Sequence, residues 1–122
     1  MARTAAENEA AASLEATELN RIIDEIKSDQ IWQQKDRHSI TVYKAATMRI
    51  VVVGLHSGAE LKTHTANGTI SVQVLKGLMR FESGGKVVDM REGMLLTLAE
   101  MVPHSVIALE ETFFLLTMAM KD

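Results

Sequence analysis

The sequence contains no cysteine, which excludes disulfides, thiolate metal sites and cysteine nucleophiles and leaves any metal to histidine, carboxylate or amide ligands. It also lacks an excess of positive charge, since 13 Lys and Arg stand against 16 Asp and Glu at an isoelectric point near 5.8. That balance does not favour the phosphate contacts that dominate nucleic-acid affinity, so no nucleic-acid partner is expected. No apolar run approaches the length that spans a bilayer, and no membrane partner is expected. Residues 1–9 are Ala-rich and already acidic at Glu7 and Glu9, without the basic region and apolar core of a secretory signal. The expected location is cytoplasmic. At 122 residues the chain can enclose one core but not two.

What the chain does have falls into two parts, a helical arm over residues 1–30 and a β-rich domain over residues 31–122. From about Ala5 to Lys27 the sequence is rich in Ala, Glu and Leu and free of Gly and Pro, which predicts a helix. Leu19, Ile22, Ile23 and Ile26 give its second half an apolar stripe, whereas the first half offers only alanine. The stripe is read as packing on the outside of the chain's own β domain, with a partner-binding arm as the alternative. Trp32, the only tryptophan, is expected to cover an open end of that domain.

From Ser39 onward, short runs of Val, Ile, Leu, Thr and Phe alternate with Gly or charged pairs, the pattern of an all-β barrel or sandwich. Strands are predicted at 39–44, 48–56, 60–64, 69–76, 78–83, 86–90, 94–98, 104–108 and 112–119. Ser83-Gly84-Gly85-Lys86 predicts a tight hairpin, because glycine supplies the positive φ of a two-residue turn. Ile50 to Val53, Met94 to Leu96 and Phe113 to Leu116 are apolar at every position, so both faces of those strands should be covered. A second sheet, the N-terminal helix or another subunit could provide the outer cover, and a homodimer is expected.

Two segments carry the chemistry. The first runs from Gly58 through His64 to Gly77, and the second from Gly93 through Pro103 and His104. Together they resemble the two motifs of the cupin family over roughly residues 40–119. The resemblance implies an antiparallel double-stranded β-helix, a jelly-roll barrel, here preceded by an N-terminal helix, and a site in which three histidines and a glutamate hold a metal. His64 and His104 match two of those ligand positions, while the second histidine falls on Ala66 and the glutamate on Ile70. Neither replacement has a lone pair to offer a metal. Glu60 shares the strand parity of His64 but lies too far along the strand to reach the same ion, and Gln73 has the parity that points away from the interior. His38 and His56 fall outside both motifs.

The expected site is therefore a ligand pocket formed by His64, Ile70, Val72, Val74 and His104, largely apolar and anchored by the two histidines, with no cofactor predicted. Met79, Met90, Met94, Met101, Met118 and Met120 lie on or beside strands predicted to line or back the barrel, as core filler or as an adaptable pocket wall. No Gly-rich phosphate loop or nucleophile elbow stands out. The functional reading is a protein that binds or senses an unidentified small organic ligand. Two alternatives stand beside it: a metal-dependent enzyme of dioxygenase or isomerase type using a divalent metal at His64 and His104, and an interaction protein acting through its N-terminal helix.

Overall fold

The computed structural model describes residues 14–120. The first helix, α1, spans Leu19–Ser28, and a short α2 spans Gln30–Gln34. Of the helix expected from about Ala5 to Lys27, the part from Leu19 onward is helical. Residues 5–13 of that expectation lie outside the described residues, and residues 14–18 are not helical. Propensity favours helix over residues 14–18 as well, but a short helix is marginal in water unless an apolar face is buried, and among the described residues that face begins at Leu19. Ile23 and Ile26 are buried, with Leu19 and Ile22 packed beside them. Asp29 separates the two helices and caps the second, its carboxylate accepting from the Ile31 N–H at 2.9 Å.

Nine strands follow: β1 Arg37–Lys44, β2 Met48–Leu55, β3 Glu60–His64, β4 Ile70–Lys76, β5 Leu78–Ser83, β6 Lys86–Arg91, β7 Leu95–Leu98, β8 His104–Ala108 and β9 Thr112–Ala119. Each overlaps a strand expected from the sequence. They form a five-stranded sheet in the order β1-β2-β9-β4-β7 and a four-stranded sheet in the order β3-β8-β5-β6. Every pairing is antiparallel, which makes the double-sheet barrel that the sequence pattern predicts. Gly84 and Gly85, at φ 57° and 78°, turn the chain between the register partners Ser83 and Lys86.

The doubly apolar runs divide between the one barrel core and an apolar cluster on the outer face of the sheet. In β9, Phe114 and Leu116 face the barrel interior, where they meet Val53, Leu55, Val72, Val74, Met79 and Phe81, while Phe113 and Leu115 face outward. The outward residues, together with Val52, receive Ile23 and Ile26 of α1, so the N-terminal helix supplies the outer cover. The run at β7 differs, because Leu96 packs inward but Leu95 is 61% exposed. Trp32 also differs from expectation. It joins the outer cluster, stacked on His56 at a ring separation of 3.6 Å and lying 5.4 Å from Phe113, and so covers the outside of the sheet and not the barrel end. Gly54 makes this possible, since a Cβ there would come within 3.0 Å of both rings.

Candidate functional site

The site is built on a fault in the pairing of β3 with β8. Leu61 pairs with Val106 and His64 with His104, so β3 spends one more residue than β8 between the two pairs. Leu61 and Val106 both pack on the interior core. Regular alternation over the three steps from Leu61 would put His64 on the opposite face; the bulge absorbs one step and re-aims it to the same interior face. Glu60 therefore does not share a face with His64, contrary to the parity read from the sequence, and the register shift is the reason.

His64 and His104 lie side by side on neighbouring strands, and not across the barrel from each other. Their ring centroids are 4.3 Å apart at an interplanar angle of 60°. Each Nδ1 is held by the carbonyl two residues earlier, His64 by Lys62 at 2.7 Å and His104 by Val102 at 2.9 Å. A carbonyl can only accept, so both neutral rings carry their proton on Nδ1 and leave the Nε2 lone pair available. His104 is 5% exposed and lies parallel to Phe81, at 8° and 5.4 Å, whereas His64 is exposed at the mouth.

Beside the pair is a cavity of about 230 Å³, lined by His64, Asn67, Ile70, His104, Leu116 and Met118 among others. Its wall is mainly apolar and includes no carboxylate. Of the residues expected to form the pocket, His64, Ile70 and His104 come together at this cavity. Val72 and Val74, 2% and 1% exposed, do not line it; they belong to the packed interior core. Gly68 shapes the rim. Its φ of 152° and its approach to the end of β9 leave no room for a side chain, because a Cβ would stand 1.9 Å from the Ala119 carbonyl oxygen.

The residues present do not fit the metal set that the sequence resemblance implies. Ala66 packs against the interior core and Ile70 is buried in it, and neither carries a donor. Among the described residues no three His, Asp or Glu side chains cluster as metal ligands. Gln73, between the inward Val72 and Val74, lies on the outer face as expected. His38 pairs with Asp29 at 3.4 Å, and His56 bonds the Trp32 carbonyl through Nε2 at 2.7 Å. Both serve the packing of the helical segment.

One residue near the site escapes the sequence reading. Arg49 opposes Met118 across β2 and β9, and its Nε is buried without a hydrogen-bond partner. The signal was its parity with Val51, Val53 and Leu55 in an otherwise uncharged strand, which marks it as an inward-facing cation.

Neither a family model nor a curated protein matches the chain. Solved structures do. An RmlC-like cupin from Desulfovibrio desulfuricans is 25% identical over 89% of this chain and 94% of its own, with a TM-score of 0.63. A conserved protein of unknown function from Streptococcus pyogenes is 21% identical over 91% of this chain and 94% of its own, at 0.69. Salicylate 1,2-dioxygenase from Pseudaminobacter salicylatoxidans is 17% identical over 82% of this chain at 0.70, but the match spans only 32% of that longer protein.

Proposed function

This chain has the cupin fold, and on that premise we propose that it binds or senses a small organic molecule in the cavity beside His64 and His104. The observation that carries the reading is an apolar cavity flanked by two imidazoles whose Nδ1 atoms are already engaged by backbone carbonyls. Their Nε2 atoms are then fixed acceptors for a ligand hydroxyl or amide N–H, while Ile70, Leu116 and Met118 shelter the apolar body. A thermal-shift screen of small organic compounds tests this. The reading requires compounds that raise the melting temperature of the wild type and do so much less in a His64→Ala, His104→Ala double variant.

A second reading is a metal-dependent enzyme of dioxygenase or isomerase type with a divalent metal at the two histidines. It is favoured by the close approach of the two imidazole rings and by the fold shared with a salicylate 1,2-dioxygenase. Two imidazoles fall short of the three protein ligands common at catalytic zinc sites, so no catalytic step is assigned to them. Elemental analysis of untagged protein separates the readings, because one equivalent of metal lost in the double variant would establish the second. The interaction-protein reading has less support in the described residues, since Ile23 and Ile26 are buried against the chain's own sheet. A cytoplasmic homodimer remains part of the proposal, with light scattering after gel filtration as its check.

A further inference from the structure

The strand register traces the outer face of the five-stranded sheet row by row. One row crosses β1, β2, β9, β4 and β7 at Ile40, Val52, Leu115, Gln73 and Leu95. The next, toward the end where the cavity lies, crosses them at Tyr43, Ile50, Thr117, Ser71 and Thr97, and Met48 opposes Ala119 beyond it. Opposed residues share a face, and Val52 and Leu115, which pack against α1, mark it as the outer one. None of these twelve residues is charged. The outer face of the four-stranded sheet is different: its row of Glu60, Ile107, Arg80 and Asp89 carries three charges, two of them paired at 2.8 Å, as suits a surface in contact with water.

The helix covers only part of the charge-free face. Ile23 and Ile26 close over Val52 and Phe113, whereas Tyr43, Met48 and Leu95 stand 43%, 41% and 61% exposed. Leu95 belongs to one of the runs whose doubly apolar pattern calls for a cover on both sides, and it lies outside the cluster around α1. Apolar residues spread over neighbouring rows of one face mark an association surface more than a single exposed leucine does.

A face without charge meets its own copy with neither like-charge repulsion nor charges to desolvate, and it offers nothing to a partner selected by charge. Five strands about 4.8 Å apart and rows about 7 Å apart give it a footprint of roughly 400–500 Å² on each copy, near the lower limit for a specific interface, so the pairing should reverse on dilution. Given the homodimer proposed above, on which this rests, we infer that two copies associate about a two-fold axis through this face, the uncharged rows of one five-stranded sheet against the same rows of the other. Sheets packed face to face lie about 10 Å apart, close to the diameter of a helix, so α1 of each copy stands at the margin of the interface.

Single charges introduced on the face test the inference by gel filtration with light scattering over a series of concentrations of the full chain. Leu95→Glu, on the edge strand β7, and Thr117→Glu, on the central strand β9, should each raise the dimer dissociation constant at least about a hundredfold. Val87→Glu is the comparison, because Val87 is 57% exposed but lies on the four-stranded sheet, and it should leave the constant unchanged. Methyl signals of Met79 and Met90, in the interior core, report whether each variant is folded, and Leu95→Glu decides if Thr117→Glu is not. A wild-type dimer that survives Leu95→Glu, or that Val87→Glu alone dissociates, overturns this interface and leaves the homodimer standing. A wild type that is monomeric at every concentration overturns both, and is the result expected if the chain's own residues 1–13 close the face.

Discussion

His64 and His104 are direct register partners on β3 and β8, and each gives its Nδ1–H to the carbonyl two residues before it. The two rings are thereby locked in the same tautomer by their own backbone, an arrangement that prepares both Nε2 atoms without any third side chain.

The first prediction concerns that tautomer. In imidazole nitrogen spectra of neutral His64 and His104, Nδ1 should carry the proton and Nε2 should resonate as an unprotonated nitrogen. A protonated Nε2 on either neutral ring would remove the acceptor that the proposed ligand needs.

Two glycine substitutions should separate crowding from backbone strain. Gly58, at φ 88°, has open space around its missing Cβ, so Gly58→Ala should cost only the left-handed conformation, about 1–2 kcal/mol. At Gly68 the same change also drives a Cβ into the Ala119 carbonyl and should cost about 4 kcal/mol or more while distorting the cavity rim. Urea denaturation of both variants is the check, and equal losses would contradict the close approach of β9 to the β3–β4 loop.

The helix makes a third prediction. Ile26 is fully buried between α1 and the sheet, so Ile26→Ala should destabilise by about 2–5 kcal/mol. A helix that served as a free arm for a partner would lose far less. Hydrogen exchange along residues 19–28 should quicken in the same variant.

A fourth concerns pH. The hydrogen bond from Arg80 holds the Asp89 carboxyl below its usual range, and the pair bridges β5 and β6 on the solvent side. A carboxylate whose folded pKa is lowered contributes stability that is complete above its unfolded value and is lost as pH falls through the folded one. The melting temperature of Asp89→Asn should therefore sit slightly below that of the wild type at neutral pH. The gap should close in strong acid and shrink in high salt, because both partners are well exposed. A gap that widens on acidification would contradict the assignment.

The strands were legible in the sequence because they are short, apolar and punctuated by glycine, as at Ser83 to Lys86, where turn chemistry and register agree. The non-helical stretch at residues 14–18 was not, because propensity cannot reveal which residues find a surface; among the described residues of the helical segment Leu19, Ile22, Ile23 and Ile26 do. At the site, residue type identified His64 and His104, but their contact depends on the long-range pairing of β3 with β8 and on a bulge that no local pattern announced. Parity alone misplaced Glu60 for that reason. It assigned Val72 and Val74 to the inner face, but which inner residues border a void and which fill the core depends on packing between the two sheets. Trp32 was drawn outward from the barrel by His56, Phe113 and the space over Gly54, none of them near it in sequence.

The most direct test of the central claim is a high-resolution crystal structure of untagged protein, with anomalous data at metal edges, inspected beside His64 and His104. The account predicts an organic molecule in the cavity, within hydrogen-bonding distance of at least one Nε2 and without a metal peak. A metal ion bound by both imidazoles would contradict it, as would an organic ligand seated elsewhere on the protein while the cavity holds only water.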